Sequence, residues 1–180
     1  PQQHSVVLGS GPHAPKASNR GAKAGKDDAV IEREPGVCGG CVYRGTIPSK
    51  TLRESALQLD RMKRSAITPN AAIPSNILVA TLMHRLDEVV TSHGDYMMKQ
   101  LTRNGVTLFH GRAQFLSDSQ IEMLTIDGMK QTLTADTMVI ATGSRPRAPV
   151  DIPIDHEHIL DSDSILSMIY LPRSLTVLGG

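Results

Sequence analysis

The sequence predicts an α/β fold, a doubly wound parallel sheet carrying a small antiparallel β-meander, and three observations predict it. Short apolar runs at Val6–Leu8, Ala29–Ile31, Val106–Phe109 and Thr137–Ala141 read as buried strands, each stopped by glycine or by a polar residue. The first two runs are separated by about 20 residues, the length of a βαβ crossover, which in a parallel sheet is right-handed. Between the last two, alternating segments punctuated by Ser117-Asp118-Ser119 and Asp127-Gly128 read as a meander.

Each element follows from its local pattern. The first strand, His4 to Leu8, runs into Gly9-Ser10-Gly11-Pro12, after which a helix should open. The second strand stops at Glu32-Arg33. Ser49 to Arg64 has helical spacing, with Leu52, Ala56 and Leu59 on one face and Ser49 as N-cap. A proline-containing loop over Thr68 to Pro74 breaks the pattern. Ser75 to Asn104 is the longest periodic segment, with Leu78, Leu82, Leu86, Val89, Val90, Met97 and Leu101 at three- and four-residue steps, ended by Asn104-Gly105. The meander segments lie around Ala113–Phe115, Gln120–Ile126 and Gln131–Leu133. Pro146, Pro149 and Pro153 mark an irregular connection, Asp163 to Met168 suits a short helix, and Ser174 to Leu178 reads as a last strand before Gly179-Gly180.

Composition narrows the function classes. The chain has 180 residues, 39% hydrophobic and 21% charged, as in a globular protein with one domain and the start of another. Its net charge of +1, with no run of like charges, gives no electrostatic footprint for nucleic acid or an anionic membrane. No apolar run approaches the roughly 20 residues of a spanning helix, and no basic stretch leads into an apolar one near the N-terminus, so the cytoplasm is the expected compartment.

Gly9-x-Gly11-x-x-Ala14 stands after a strand and before a helix, with Glu32 at the end of the second strand. In a dinucleotide fold the first glycine permits the tight turn, the second lets backbone approach a pyrophosphate, and a small third residue lets helix and strand pack closely. The helix N-terminus offers N–H groups and a positive dipole to phosphates, and Glu32 accepts from the ribose hydroxyls. Pro15 fits such a helix only in its first turn, and Gly21 weakens its interior by about 1 kcal/mol. Asp27 and Asp28 put two carboxylates at the mouth of a strand, where burial is disfavoured unless both stay solvated. These departures bear on how well the cofactor is held.

Gly36 to Arg53 reads GVCGGCVYRGTIPSKTLR. With a cysteine at Thr46, the Cys41-x4-Thr46 spacing would be the redox-active pair of a flavoprotein disulfide reductase; with one thiol missing, no disulfide closes across that gap. The chain resembles that family, the FAD-dependent pyridine nucleotide-disulfide oxidoreductases with a glutathione-reductase-like fold, and within it the soluble transhydrogenase subgroup that has lost the dithiol relay. The resemblance implies a cofactor-binding set of Gly9, Gly11, Ala14, Glu32, Arg33, Gly39, Gly40, Cys41, Lys50, Gly111, Ala113, Ala141, Thr142 and Gly143. It places Thr46 where the flavin-proximal sulfur sits in relatives and Lys50 one turn into the helix under the flavin ring, giving Cys41, Thr46 and Lys50 as the catalytic candidates. A lysine there can stabilise negative charge that develops on the ring during reduction.

Cys38-Gly-Gly-Cys41 is formally a C-x-x-C, a spacing that serves dithiols or half a zinc site, but no second pair is present and no metal site is assigned. Cys38 stands where the family has glycine. None of the seven histidines is assigned a catalytic role; His84 and His93 are expected on the outside of the long helix. The resemblance implies FAD as cofactor, NADPH and NAD as substrates of the complete protein, and a homodimer. It also implies a flavin domain over residues 1–150, with 151–180 leading into a nicotinamide domain. A reductase of another acceptor, such as a quinone, and a non-catalytic nucleotide-binding module are the competing expectations. The 180 residues alone are not expected to turn over.

Overall fold

The computed structural model describes residues 2–12, 14–23, 25–64 and 75–179, without the side chains of Pro15, Asn19, Lys63 and residues 75–78. The loop expected over Thr68 to Pro74 lies outside these residues. Two compact units are distinguished, one built from residues 1–43 and 91–145, the other from 44–90 and 146–180.

The first unit is the sheet. Its strands are β1 (Gln2–Leu8), β2 (Asp28–Glu32), β3 (Thr107–Phe115), β4 (Gln120–Thr125) and β5 (Lys130–Ile140). β1 pairs in parallel with β2 on one side and with the end of β5 on the other, and β2 pairs in parallel with the start of β3. β4 runs antiparallel to both the end of β3 and the start of β5. The expected core strand and first meander strand are therefore one continuous strand, β3, and the last meander strand and fourth core strand are likewise one, β5. This fusion closes the sheet into a ring, β1-β2-β3-β4-β5.

Inside the ring lies the core: Val6, Leu8, Ala29, Ile31, Ile121, Met123, Leu133 and Ala135. Side chains alternate along a strand, so Val7 and Val30, also fully buried, point to the other face. Helix α1 (Ala14–Lys23) packs on β1 and β2. Ala14 and Ser18, both at 0% exposure, and Gly21 recur at steps of four and three, so a stripe of small residues lets the helix come close. Pro15 is the second residue of α1, within the first turn where a missing N–H is tolerated.

One sequence expectation fails on this face. Asp27 is exposed, but Asp28 is buried rather than solvated. Gly21 is the physical reason: a Cβ there would fall on the Asp28 carboxylate, so the missing side chain in α1 makes the space that the acid fills. The Ser5 hydroxyl donates to Asp28 Oδ1, while Oδ2 has no partner.

A short helix α2 (Gly39–Tyr43), not expected from the sequence, closes the first unit's cysteine segment. In the second unit, α3 spans Thr46–Arg64 and begins three residues before the expected cap. Pro48 is accommodated in its first turn, so Ser49 is not an N-cap; its hydroxyl instead donates back to the carbonyls of Gly45 at 2.9 Å and Thr46 at 3.2 Å. Leu52 and Leu59 are half-buried, but Ala56 is exposed. The long helix α4 (Ser75–Arg103), whose residues 91–103 belong to the first unit, matches the periodic segment, with Val79, Leu86 and Leu101 buried and His84 and His93 exposed.

Further along the second unit, Asp155 accepts the backbone N–H groups of Glu157, His158 and Ile159, which holds its carboxyl down at about 2. The short helix expected near Asp163 is a 3-10 turn at Ser164–Ser167. Ser174 to Leu178 is not a strand: it has no ladder partner among the described residues, and Leu175, Val177 and Leu178 are exposed. An apolar run forms a strand only where a neighbouring edge satisfies its amides.

Candidate functional site

At the carboxyl ends of the parallel strands two backbone segments approach closely. Gly9 has φ +94, and a Cβ on it would lie 2.5 Å from the Ala141 carbonyl oxygen and 3.2 Å from Thr142 Cα, so only glycine fits. The Gly9 N–H donates to the Ile31 carbonyl at 2.8 Å and that of Ala141 to Leu8 at 2.9 Å, continuing both ladders into the turn. Gly11, by contrast, faces open space: nothing lies within 4 Å of where its Cβ would be. That is the geometry a pyrophosphate needs beside a helix N-terminus. The Ala14 N–H donates to the Gly11 carbonyl at 2.9 Å, and Pro15, the second residue of α1, has no N–H to offer a ligand.

The cysteine segment packs onto the same turn. Gly39, with φ +63, sits so close that a Cβ would be 2.9 Å from Gly11 Cα. The Cys38 N–H donates to the Ser10 carbonyl at 3.1 Å and to the Ser10 hydroxyl at 2.9 Å. Cys38 is 1% exposed and holds φ +104, a region that favours glycine. Burial, then the nearby Glu32 charge, pushes its thiol up to about 11. Its sulfur donates to the His93 carbonyl at 3.7 Å. Cys41 is half-buried, and both thiols are free.

Glu32 ends β2 beneath this turn, 5% exposed. Its Oε2 accepts the Ser10 N–H at 2.8 Å and the Ser10 hydroxyl; its Oε1 accepts the Glu34 N–H at 2.9 Å. Ser10, the middle residue of the glycine turn, is not marked by the sequence pattern, because the fingerprint leaves that position free. Its signal was chemical: a hydroxyl between two glycines, within reach of an acid ending the next strand.

The first unit thus brings Gly9, Gly11, Ala14, Glu32, Gly39, Ala141 and Thr142 around one turn. Arg33 is exposed and pairs with Glu34 at 3.2 Å, which Arg145 also reaches at 3.0 Å. Gly40 and Gly143 have open space where a Cβ would be. Gly111 follows His110, the register partner of Glu32, and is needed for packing, since a Cβ would meet the Leu124 carbonyl oxygen at 2.5 Å. Ala113 packs on the core inside the ring. Thr46 and Lys50 belong to the second unit, both exposed in the first turns of α3. Among the described residues no cluster of His, Cys, Asp or Glu is arranged to hold a metal ion, and no helix is long and apolar enough to cross a membrane.

Known proteins resemble this chain. The family described as Pyridine nucleotide-disulphide oxidoreductase matches residues 3–180. A soluble pyridine nucleotide transhydrogenase of Azotobacter vinelandii is 36% identical over 97% of the chain, and one of Mycobacterium tuberculosis is 41% identical over the same share. The chain spans 38% of the length of each. A Cu(II) complex of the HOCl-induced flavoprotein disulfide reductase RclA from Escherichia coli superposes with a TM-score of 0.78 at 22% identity, over 96% of this chain and 36% of that one, which shows the shared fold. The chain belongs to the pyridine nucleotide-disulphide oxidoreductase family.

Proposed function

We propose that the complete protein is an FAD-dependent transhydrogenase that passes hydride from NADPH to NAD without a dithiol, with residues 1–150 as its flavin domain and 151–180 leading into its nicotinamide domain. The observation that carries this reading is Thr46, a hydroxyl five residues after Cys41, where a disulfide relay needs sulfur. FAD, when bound, supplies two-electron chemistry between nicotinamides.

The chain's residues have defined parts in this reading. Gly11 leaves room for the pyrophosphate, and the α1 N-terminus, with no acid in its first turn, faces it with a positive dipole. Glu32 accepts from the adenosine ribose. Gly39, Gly40 and Cys41 line the flavin, with Gly111, Ala113 and Ala141–Gly143 toward the adenosine. Lys50 stabilises negative charge on the ring, and Thr46 cannot form a disulfide with Cys41. Twofold association, as a homodimer, completes the enzyme.

The test is a steady-state assay of the full-length protein with NADPH against an NAD analogue, a quinone and lipoamide. Turnover with the NAD analogue and none with lipoamide is expected; a strong preference for the quinone would replace this function with that of a quinone reductase. Lys50→Met should slow flavin reduction by NADPH about tenfold or more; an unchanged rate removes Lys50 from the site. A purified full-length protein without flavin absorbance after FAD addition would leave only a non-catalytic module.

A further inference from the structure

We infer that Ser10 is a positioning residue that restricts the Glu32 carboxylate to a single hydroxyl of the adenosine ribose. This rests on the FAD reading above and deepens it.

An ionised carboxylate has about four lone-pair sites. Three are taken within the protein: two on Oε2, by the Ser10 N–H and hydroxyl, and one on Oε1, by the Glu34 N–H. One site on Oε1 remains. The Ser10 side chain has no freedom to share the load. It is 1% exposed, its proton goes to Glu32, and its oxygen accepts the Cys38 N–H at 2.9 Å. The hydroxyl is therefore clamped between the end of β2 and the cysteine segment, and it fixes the plane of the carboxylate from the buried side. A vicinal diol approaching Glu32 finds one acceptor position, so its two hydroxyls are not equivalent to the protein.

The experiment uses the full-length apoprotein and three probes: FAD, and two FAD analogues lacking either the 2′- or the 3′-hydroxyl of the adenosine ribose. Dissociation constants are read from flavin fluorescence, independently of turnover. One analogue should bind about tenfold or more weakly than FAD and the other within about twofold, since a hydrogen bond to a charged group is lost in one case only. In Ser10→Ala the ratio between the two analogues should fall below about threefold, because the carboxylate loses a buried donor and its fixed plane; Ser10→Thr, which keeps the hydroxyl, should restore it. Equal weakening of both analogues in the wild type, or no weakening of either, overturns the single-hydroxyl assignment whether or not the variants fold. If Ser10 serves only packing, Ser10→Ala weakens all three probes by one factor and leaves the ratio unchanged, which overturns the positioning role. Failure of the folded wild type to bind FAD at all is a different result: it overturns the flavin reading itself.

Discussion

Strand β2 is only five residues long, yet it buries a carboxylate at each end, and the two are treated differently. Glu32, at the carboxyl end, receives three hydrogen bonds from Ser10 and Glu34. Asp28, at the amino end, receives one from Ser5 and keeps a buried oxygen with no partner. Burying an ionised acid is costly unless it is fully hydrogen-bonded, so the first is a stable feature and the second a liability. The end of the sheet where open α/β folds bind ligands is the end where the polar groups are satisfied.

Removing the satisfied acid should have the largest effect. Glu32→Leu leaves the Ser10 and Glu34 donors without their acceptor in a buried place, and about 3 kcal/mol of stability should be lost in urea titration. A loss below about 1 kcal/mol would mean that the network does not hold the turn, and the contrast between the two ends would collapse.

The opposite end should respond through its helix. Gly21→Ala would normally help a helix by about 1 kcal/mol. Here the new Cβ would fall on the Asp28 carboxylate, so a net cost of about 2 kcal/mol is expected. Asp28→Val alone should instead stabilise the fold by about 1 kcal/mol, because it removes a poorly satisfied buried acid at similar volume, although Ser5 loses its acceptor. With Asp28→Val in place, Gly21→Ala should be far less harmful than alone. The double-mutant cycle reads that coupling directly, and additive effects would show that the two residues do not compete for one space.

These contrasts also mark what the sequence made legible. The glycine turn, the acid ending β2, the long helix and the parallel pairing of the first strands were visible, because period, punctuation and strand-to-turn chemistry report backbone geometry directly. The fusion of core and meander into β3 and β5 was not visible, since His110 and Gly111 look like a break when the strand simply changes partner from β2 to β4. The burial of Asp28 is illegible for a related reason: it depends on Gly21, seven residues back on another element, and that pairing exists only once α1 lies across β2. Thr46 and its missing thiol were legible as chemistry. Ser10 was not, because its importance comes from which acceptor it meets.

The smallest expected effect lies at the well-bonded end, where one residue is out of keeping with its surroundings. Cys38 holds φ +104 while its N–H is fixed by Ser10, so Cys38→Gly should relieve backbone strain at the expense of a buried thiol, for a net gain of about 0.5–1 kcal/mol at neutral pH. The pH dependence separates the two contributions. The thiol's ordinary value of 9.0 is raised to about 11 in the folded chain, so between these values the unfolded chain gives up a proton that the folded one keeps. The unfolded state then binds fewer protons, and stability falls as pH rises. The contribution is fully present below about pH 9 and is lost progressively toward about pH 11. Tyr43, raised chiefly by burial and then by the Cys38 and Glu32 charges, acts in the same direction above its ordinary value of 10.0. Urea titrations at pH 7, 9 and 10 should therefore show wild-type stability declining over the last step and Cys38→Gly declining less. Parallel curves would mean that Cys38 ionises as freely in the folded chain as in the unfolded one, and that its burial against the glycine turn is looser than the network around Glu32 requires.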